Sequence, residues 1–213
     1  MGGSTVESAL HAGSGAAGLK LIETLCWDGA RLVRLPLHLA RLARSAQALG
    51  WGCDLAAVEA ALRAAVPVAA ARMRLTLDGA GRVEVQVAAL PVGKSVWRVG
   101  LAAERLNSDD VWLTVKSTRR AAYDAARAAL PDGLDEVILC NQRGEVCDGS
   151  ITTLFFDRGQ GMRTPPLTCG VLPGVLRAEM AVAEEVLLAD DLPRVRLWVG
   201  NSLRGLIPAV WVI

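Results

Sequence analysis

Apolar residues recur along this chain with two periods, and the changes between them mark out its elements. Leu19 to Trp27 reads as a strand that Asp28-Gly29 turns back into Ala30 to Val33. The period then lengthens. Leu35, Leu39, Leu42, Ala46 and Leu49 follow helical spacing, with Pro36 suited to a first helical position and Gly50 to a stop. His38, Arg41 and Ser45 share another side of that helix, which in an ordinary surface helix is a solvated face. Asp54 is placed to cap a second helix running through Ala65 and ended by Pro67. Strict alternation follows: Met73, Leu75 and Leu77 interleave with Arg72, Arg74 and Thr76, and Val83, Val85 and Val87 alternate likewise across Asp78-Gly79-Ala80-Gly81, the pattern of an amphipathic hairpin.

Val96 to Leu101 reads as a further strand, and the more polar residues 103–110 as a connection between two domains. Val111 to Val115 is β-branched and aromatic enough for a strand, with Trp112, Thr114 and Lys116 on one face. Ser117 or Thr118 could then cap an alanine-rich helix from Arg119 to Leu130. Beyond Pro131-Asp132-Gly133, Glu136 to Cys140 and Glu145 to Asp148 are expected to pair across residues 141–144, with Val146, Asp148 and Ser150 sharing a face; Ile151 to Phe156 extends that sheet. An irregular Gly/Pro stretch delivers Leu172-Pro173-Gly174 to a short helix beginning near Val175, whose free N–H groups suit an anion. Residues 182–188 fit either a strand or the tail of that helix. Val195 to Val199 and Leu206 to Ile213 read as strands around the polar turn Asn201-Ser202-Leu203-Arg204-Gly205.

Composition narrows the class. With 213 residues, 52% hydrophobic, the chain can bury one substantial core or two small ones. A net charge of +1 lacks the basic excess of a nucleic-acid or membrane-surface binder, and no apolar stretch approaches spanning length. Five scattered cysteines without a CxxC pair, and only two histidines, argue against zinc and for a reduced, cytoplasmic setting. Residues 1–18, rich in glycine, serine and alanine, read as a flexible tail.

One residue stands out against that composition. The chain has twenty arginines and three lysines, Lys20, Lys94 and Lys116, so a lysine kept at a strand end invites a chemical reason. A desolvated lysine can lose its proton near neutral pH and form a Schiff base, which arginine cannot; the alternative is a surface lysine snorkelling from a strand end. Beside it stand a strand-borne carboxylate at Asp148, a glycine-led helix start at Gly174, a turn hydroxyl at Ser202 and an arginine on an early helix, Arg41. No metal cluster, Ser/His/Asp set or nucleotide loop competes. Pyridoxal 5′-phosphate would use all five, although each also has routine structural uses.

The motifs Ile22-Glu23-Thr24, His38-Leu39-Ala40-Arg41-Leu42, Lys116-Ser117-Thr118 with Arg120 and Tyr123, Asp148-Gly149-Ser150, Leu172-Pro173-Gly174-Val175-Leu176 and Asn201-Ser202-Leu203-Arg204-Gly205 occur in an order and separation that resembles the class IV aminotransferases, pyridoxal-phosphate enzymes of fold type IV. The resemblance implies an α/β (α+β) architecture: a small N-terminal α/β domain, residues 19–102, and a larger cofactor-binding domain, residues 111–213, with a barrel-like sheet. It also implies a homodimer acting on a small molecule. By position, Lys116 becomes the Schiff-base lysine and proton carrier. Arg41, the N–H groups of Val175 and Leu176, and Ser202 become phosphate ligands. Asp148 stands where the family has a glutamate beside the pyridine nitrogen, one methylene short; Thr153 stands where many relatives have asparagine, and Leu176 where some have threonine. The run Lys116 to Asp124, with Asn201 to Gly205, is most similar to 4-amino-4-deoxychorismate lyases. That likeness implies formation of 4-aminobenzoate and pyruvate, a step toward folate, with Arg120 and Arg204 as candidates for the substrate's carboxylates. Tyr123 reads more simply as core packing. A branched-chain or D-amino acid transaminase is the alternative reaction, and a cofactor-binding relative without catalysis the third reading.

Overall fold

The computed structural model describes residues 5–212, and the chain divides into two compact units. The first comprises residues up to Val92 together with Val115–Arg119, the second Gly93–Thr114 and Arg120 onward.

In the first unit, β1 (Lys20–Trp27), β2 (Ala71–Asp78) and β3 (Val83–Ala89) form an antiparallel sheet in the order β1-β2-β3. The alternation is legible in the burial: Ala71, Met73, Leu75 and Leu77 of β2 are buried. The expected return strand at Ala30–Val33 is only a single bridge, Trp27 to Leu32, because Asp28 Oδ1 accepts from the N–H groups of Ala30 and Arg31 and closes a tight local turn. Helix α1 (Thr5–Gly13) packs on α2 (Leu35–Leu49) and buries Leu10, so half of the expected flexible tail is ordered helix; residues 1–4 lie outside the described residues. Helix α2 has Pro36 in its first turn and ends at Gly50, whose φ of 69° is left-handed and whose N–H reaches Ala46 and Gln47 oxygens. A Cβ there would sit 2.6 Å from the His11 ring, so glycine also admits α1. Asp54 caps α3 (Leu55–Ala64) through the N–H groups of Ala56 and Ala57, as its position predicts.

The second unit is built around a closed sheet. Its strands are β4 (Trp97–Leu106), β5 (Glu136–Asn141), β6 (Val146–Gly149), β7 (Thr153–Asp157), β8 (Arg163–Thr164), β9 (Ala183–Glu184), β10 (Arg196–Asn201) and β11 (Gly205–Trp211). The order is β10-β11-β4-β5-β6-β7-β8-β9, and a further β10 to β7 pairing closes six of them into a barrel. Trp97, Val99, Ile138, Cys140, Leu154, Phe156, Leu197 and Val199 belong to one apolar cluster. Val137 and Leu139, of opposite parity in β5, join Ala102, Leu106, Ala126, Cys147 and Val171 in a second cluster beneath α4 (Ala121–Ala128). Both faces of β5 are therefore covered, and all six of its residues are buried.

Three expectations need correction. Residues 103–106 are the second half of β4 rather than connection. Val111–Thr114 is a 3-10 turn rather than a strand: Asp110 Oδ1 accepts from Trp112 N–H at 3.0 Å and the Thr114 hydroxyl donates back to Val111 O at 2.7 Å. Neither Ser117 nor Thr118 caps α4, which starts after Arg120; the Thr118 hydroxyl donates to Gly18 O and accepts from Lys20 N–H instead. Residues 182–188 hold only the two-residue β9, after α5 (Val175–Met180) has ended. Ile213, at the end of the expected last strand, lies outside the described residues.

Candidate active site

In the first unit, Lys116 lies in a short extended segment on the free edge of β1. Its carbonyl accepts from Ile22 N–H at 2.8 Å, and Thr118 N–H donates to Lys20 O at 2.9 Å. Backbone pairing at Lys116 itself and at Thr118, on either side of the Leu21 to Ser117 bridge, thus fixes where the half-buried side chain starts.

Beneath β1 is a buried charged cluster that helical spacing alone assigned to a solvated face. Glu23 on β1 receives Arg41 Nε at 2.8 Å and Arg41 Nη2 at 2.6 Å, and His38 Nδ1 lies 2.6 Å from its Oε2. All three side chains are buried, as is Ser45. The side-on pair holds the guanidinium plane in one orientation, which a lysine at position 41 could not reproduce. Burial pushes the Glu23 carboxyl up, but the Arg41 charge and hydrogen bond, with His38, outweigh it and hold it below the usual carboxylate value. Burial also depresses His38; the Glu23 hydrogen bond and charge pull it back, and the Arg41 and Lys116 cations push it down again. With Arg41 already neutralising the carboxylate, an uncharged imidazole suffices beside it.

The second unit gathers most of the remaining candidates. Asp148, on β6, is 3% exposed, and its Oδ2 accepts from Leu172 N–H at 2.8 Å, which ties the Leu172-Pro173-Gly174 approach to that strand. Thr153 is the cross-strand partner of Asp148. Its hydroxyl would lie 2.9 Å from a Cβ on Gly174, so the chain enters α5 against a surface that leaves no room for a side chain. A Cβ on Gly200 would come within 2.6 Å of both Leu176 Cδ2 and Gly205 O. Helix α5 therefore packs directly on the end of β10, where the turn carrying the buried Ser202 begins. Asn201 shapes that turn by accepting from the N–H groups of Leu203 and Arg204. With six residues, α5 offers free N–H groups more than a dipole.

The arginines suggested for a substrate are both engaged. Arg120 donates to Asp124 Oδ1 at 2.6 Å and to Ser150 O at 3.1 Å. Arg204 lies over the Trp97 ring, 5.1 Å from its centroid; burial and then the nearby Arg127 charge lower its affinity for a proton.

Two residues of the site escaped sequence reasoning in function if not in name. Glu23 was visible as a motif member without a role. Glu136 was visible only as a strand start, yet it is fully buried and accepts from the N–H groups of Val137, Ser150 and Ile151 at 3.0, 3.1 and 3.1 Å and from the Ser150 and Thr152 hydroxyls. It thereby forms the turn between Asp148 and Thr153. A carboxylate at the head of an otherwise apolar run was the available signal.

Residues 20–211 match the amino-transferase class IV family. The chain belongs to that family. It is 32% identical over 167 residues to a Schizosaccharomyces pombe protein provisionally named aminodeoxychorismate lyase, covering 75% of this chain and 72% of that one. Among solved structures, a Mesorhizobium loti protein provisionally named an amino-acid aminotransferase superposes with a TM-score of 0.87 at 42% identity, over 91% of this chain and 100% of that one. The Pseudomonas aeruginosa 4-amino-4-deoxychorismate lyase superposes with a TM-score of 0.78 at 22% identity, over 90% and 82%, which shows the shared fold. This class IV chain is a pyridoxal-phosphate-dependent enzyme of the transaminase and lyase superfamily. Each unit carries groups of the kind that cofactor needs: an amine and an oriented arginine in the first, and a buried carboxylate with N–H and hydroxyl donors beside side-chain-free glycines in the second. Among the described residues no group of histidine, cysteine or acidic side chains could hold a metal ion, and no helix is long and apolar enough to cross a membrane.

Proposed function

We propose that this class IV enzyme is a 4-amino-4-deoxychorismate lyase, converting its substrate to 4-aminobenzoate and pyruvate. The observation carrying this reading is the similarity to the Schizosaccharomyces pombe relative of that name, which agrees with the sequence of the Lys116 and Asn201 motifs. Pyridoxal phosphate, when bound, supplies an electron sink for a carbanion.

The chain's own groups do the rest. Lys116 would hold the cofactor covalently, and its amine, freed when substrate binds, would take the proton from the substrate carbon bearing nitrogen. The adjacent bond to the enolpyruvyl oxygen then breaks, leaving an aromatic ring, and reprotonation of the departing enolate gives pyruvate. Arg41, held by Glu23, would serve as a phosphate ligand, and so would Ser202 and the N–H groups of Val175 and Leu176. Asp148, steadied by Leu172 N–H, keeps the pyridine nitrogen protonated. Arg120 and Arg204 face the substrate carboxylates, and their present anchors hold them in place for it. The enzyme works as a cytoplasmic homodimer.

Amino-acid transamination is the second reading, favoured by the similarity to the Mesorhizobium loti protein. Continuous turnover decides between them. With enzymatically generated aminodeoxychorismate and no 2-oxo acid present, a lyase releases pyruvate and aminobenzoate in equal amounts over many turnovers. Stalling after one equivalent until a 2-oxo acid is added would overturn the proposal in favour of transamination.

A further inference from the structure

Glu136 opens β5, is fully buried, and accepts hydrogen bonds from three N–H groups and two hydroxyls. Four of those five donors belong to residues 150–152, the turn between β6 and β7. Gly149 lets the turn close on the carboxylate, since a Cβ there would lie 2.8 Å from Glu136 Oε2. Arg127 Nη1 stands 3.6 Å from Glu136 Oε1 and is itself bonded to Asp135 O at 2.8 Å, so the turn carries the carboxylate's hydrogen bonds and the ion pair does not.

With its donors turned inward to Glu136, the turn offers its carbonyls to other elements. Ser150 O accepts from Arg120 Nη2 at 3.1 Å, and Ile151 O accepts from Asn201 Nδ2 at 3.1 Å. Asn201 Oδ1 accepts in its turn from the N–H groups of Leu203 and Arg204 at 3.1 and 3.0 Å, which sets where the Arg204 backbone stands. One buried carboxylate is thus joined to two arginines through the backbone of a single turn. Five donors on that carboxylate hold the turn in one conformation, and the support beneath a ligand-holding group decides how accurately the group is placed.

We propose that Glu136 is a positioning residue for substrate binding: through Ser150 O it places the Arg120 guanidinium, and through Ile151 O and Asn201 it places Arg204. The inference rests on the reading that these two arginines receive the substrate's carboxylates. Asp148 is held independently, by Leu172 N–H and by pairing with Thr153, so the effect of Glu136 falls on substrate affinity more than on turnover of bound substrate.

The test is Glu136→Gln in the full-length holoenzyme, which keeps the shape but turns one acceptor into a donor facing N–H and O–H groups. With enzymatically generated aminodeoxychorismate, KM should rise about tenfold, the worth of one ordinary hydrogen bond, with kcat within about twofold. In an Arg120→Gln background the same change should raise KM only about threefold, because one of its two routes is already cut. A lower melting temperature with KM unchanged, or the same KM factor in both backgrounds, marks a purely structural role and overturns the proposal. Thr152→Val removes one hydroxyl from Glu136 and leaves the carboxylate in place, and it carries the test if Glu136→Gln does not fold. KM should then rise about threefold, and an unchanged KM overturns the proposal. Arg120→Gln and Arg204→Gln probe the underlying reading. If neither alters KM, those arginines do not hold the substrate and the reading falls; if either does while Glu136→Gln does not, only the role of Glu136 is lost.

Discussion

Arg41 sits where helical spacing forecasts a solvated side chain and is instead buried against Glu23 and His38. Removing one member of such a cluster strands the others: Glu23→Ala should cost about 3–5 kcal/mol, read as a lower urea midpoint, with weaker cofactor binding as Arg41 loses its orientation. The cluster also sets a pH dependence. Glu23 and His38 both have folded-state pKa values below their unfolded ones, so the unfolded chain binds more protons and stability rises with pH. The His38 contribution is present above its unfolded value of 6.5 and is lost as pH falls below it; the Glu23 contribution is lost in turn below 4.5. Urea midpoints between pH 8 and pH 5, at about constant ionic strength, should therefore fall for the parent chain and fall less for His38→Gln; equal slopes would contradict this assignment. At this scale the sequence revealed which residues matter better than where they sit. A polar i, i+3, i+7 set looks the same whether it faces water or a buried carboxylate, because the carboxylate comes from β1, fifteen or more residues away.

Glu136 acts on a larger piece of structure. By accepting from the backbone and hydroxyls of residues 150–152 it sets the geometry of the turn that separates Asp148 from Thr153. Glu136→Ala should lower stability by about 3 kcal/mol or more, because several buried donors lose a charged acceptor at once. Gly200 is the matching test where α5 meets β10. Gly200→Ala forces a Cβ toward Gly205 O and Leu176 Cδ2 at 2.6 Å, which should cost about 1–3 kcal/mol and raise the cofactor dissociation constant by disturbing the packing beside Ser202. Loss of stability without any change in cofactor affinity would separate this packing from the phosphate ligands. Element identities were largely legible where one period ran long enough, as in α2, α3 and the β2–β3 hairpin. They were not where a side chain rewrote the backbone: Asp110 turns Val111–Thr114 into a 3-10 helix despite its β-branched content, and Asp28 pre-empts a second strand.

At the scale of the molecule, closure of the barrel depends on β7 meeting β10, strands separated by a stretch without strong periodicity. Such a long-range pairing leaves no local sequence signal, which is why the barrel-like sheet was legible only through the resemblance and not through the order of strands. Light scattering on the purified protein should give twice the chain mass, as the family leads one to expect; a monomer that retains full turnover would contradict the dimer. The central claim is covalent capture of pyridoxal phosphate by one of three lysines. Borohydride reduction of the holoenzyme followed by peptide mapping should place the pyridoxyl group on Lys116; a tag on Lys20 or Lys94, or no tag at all, would contradict it.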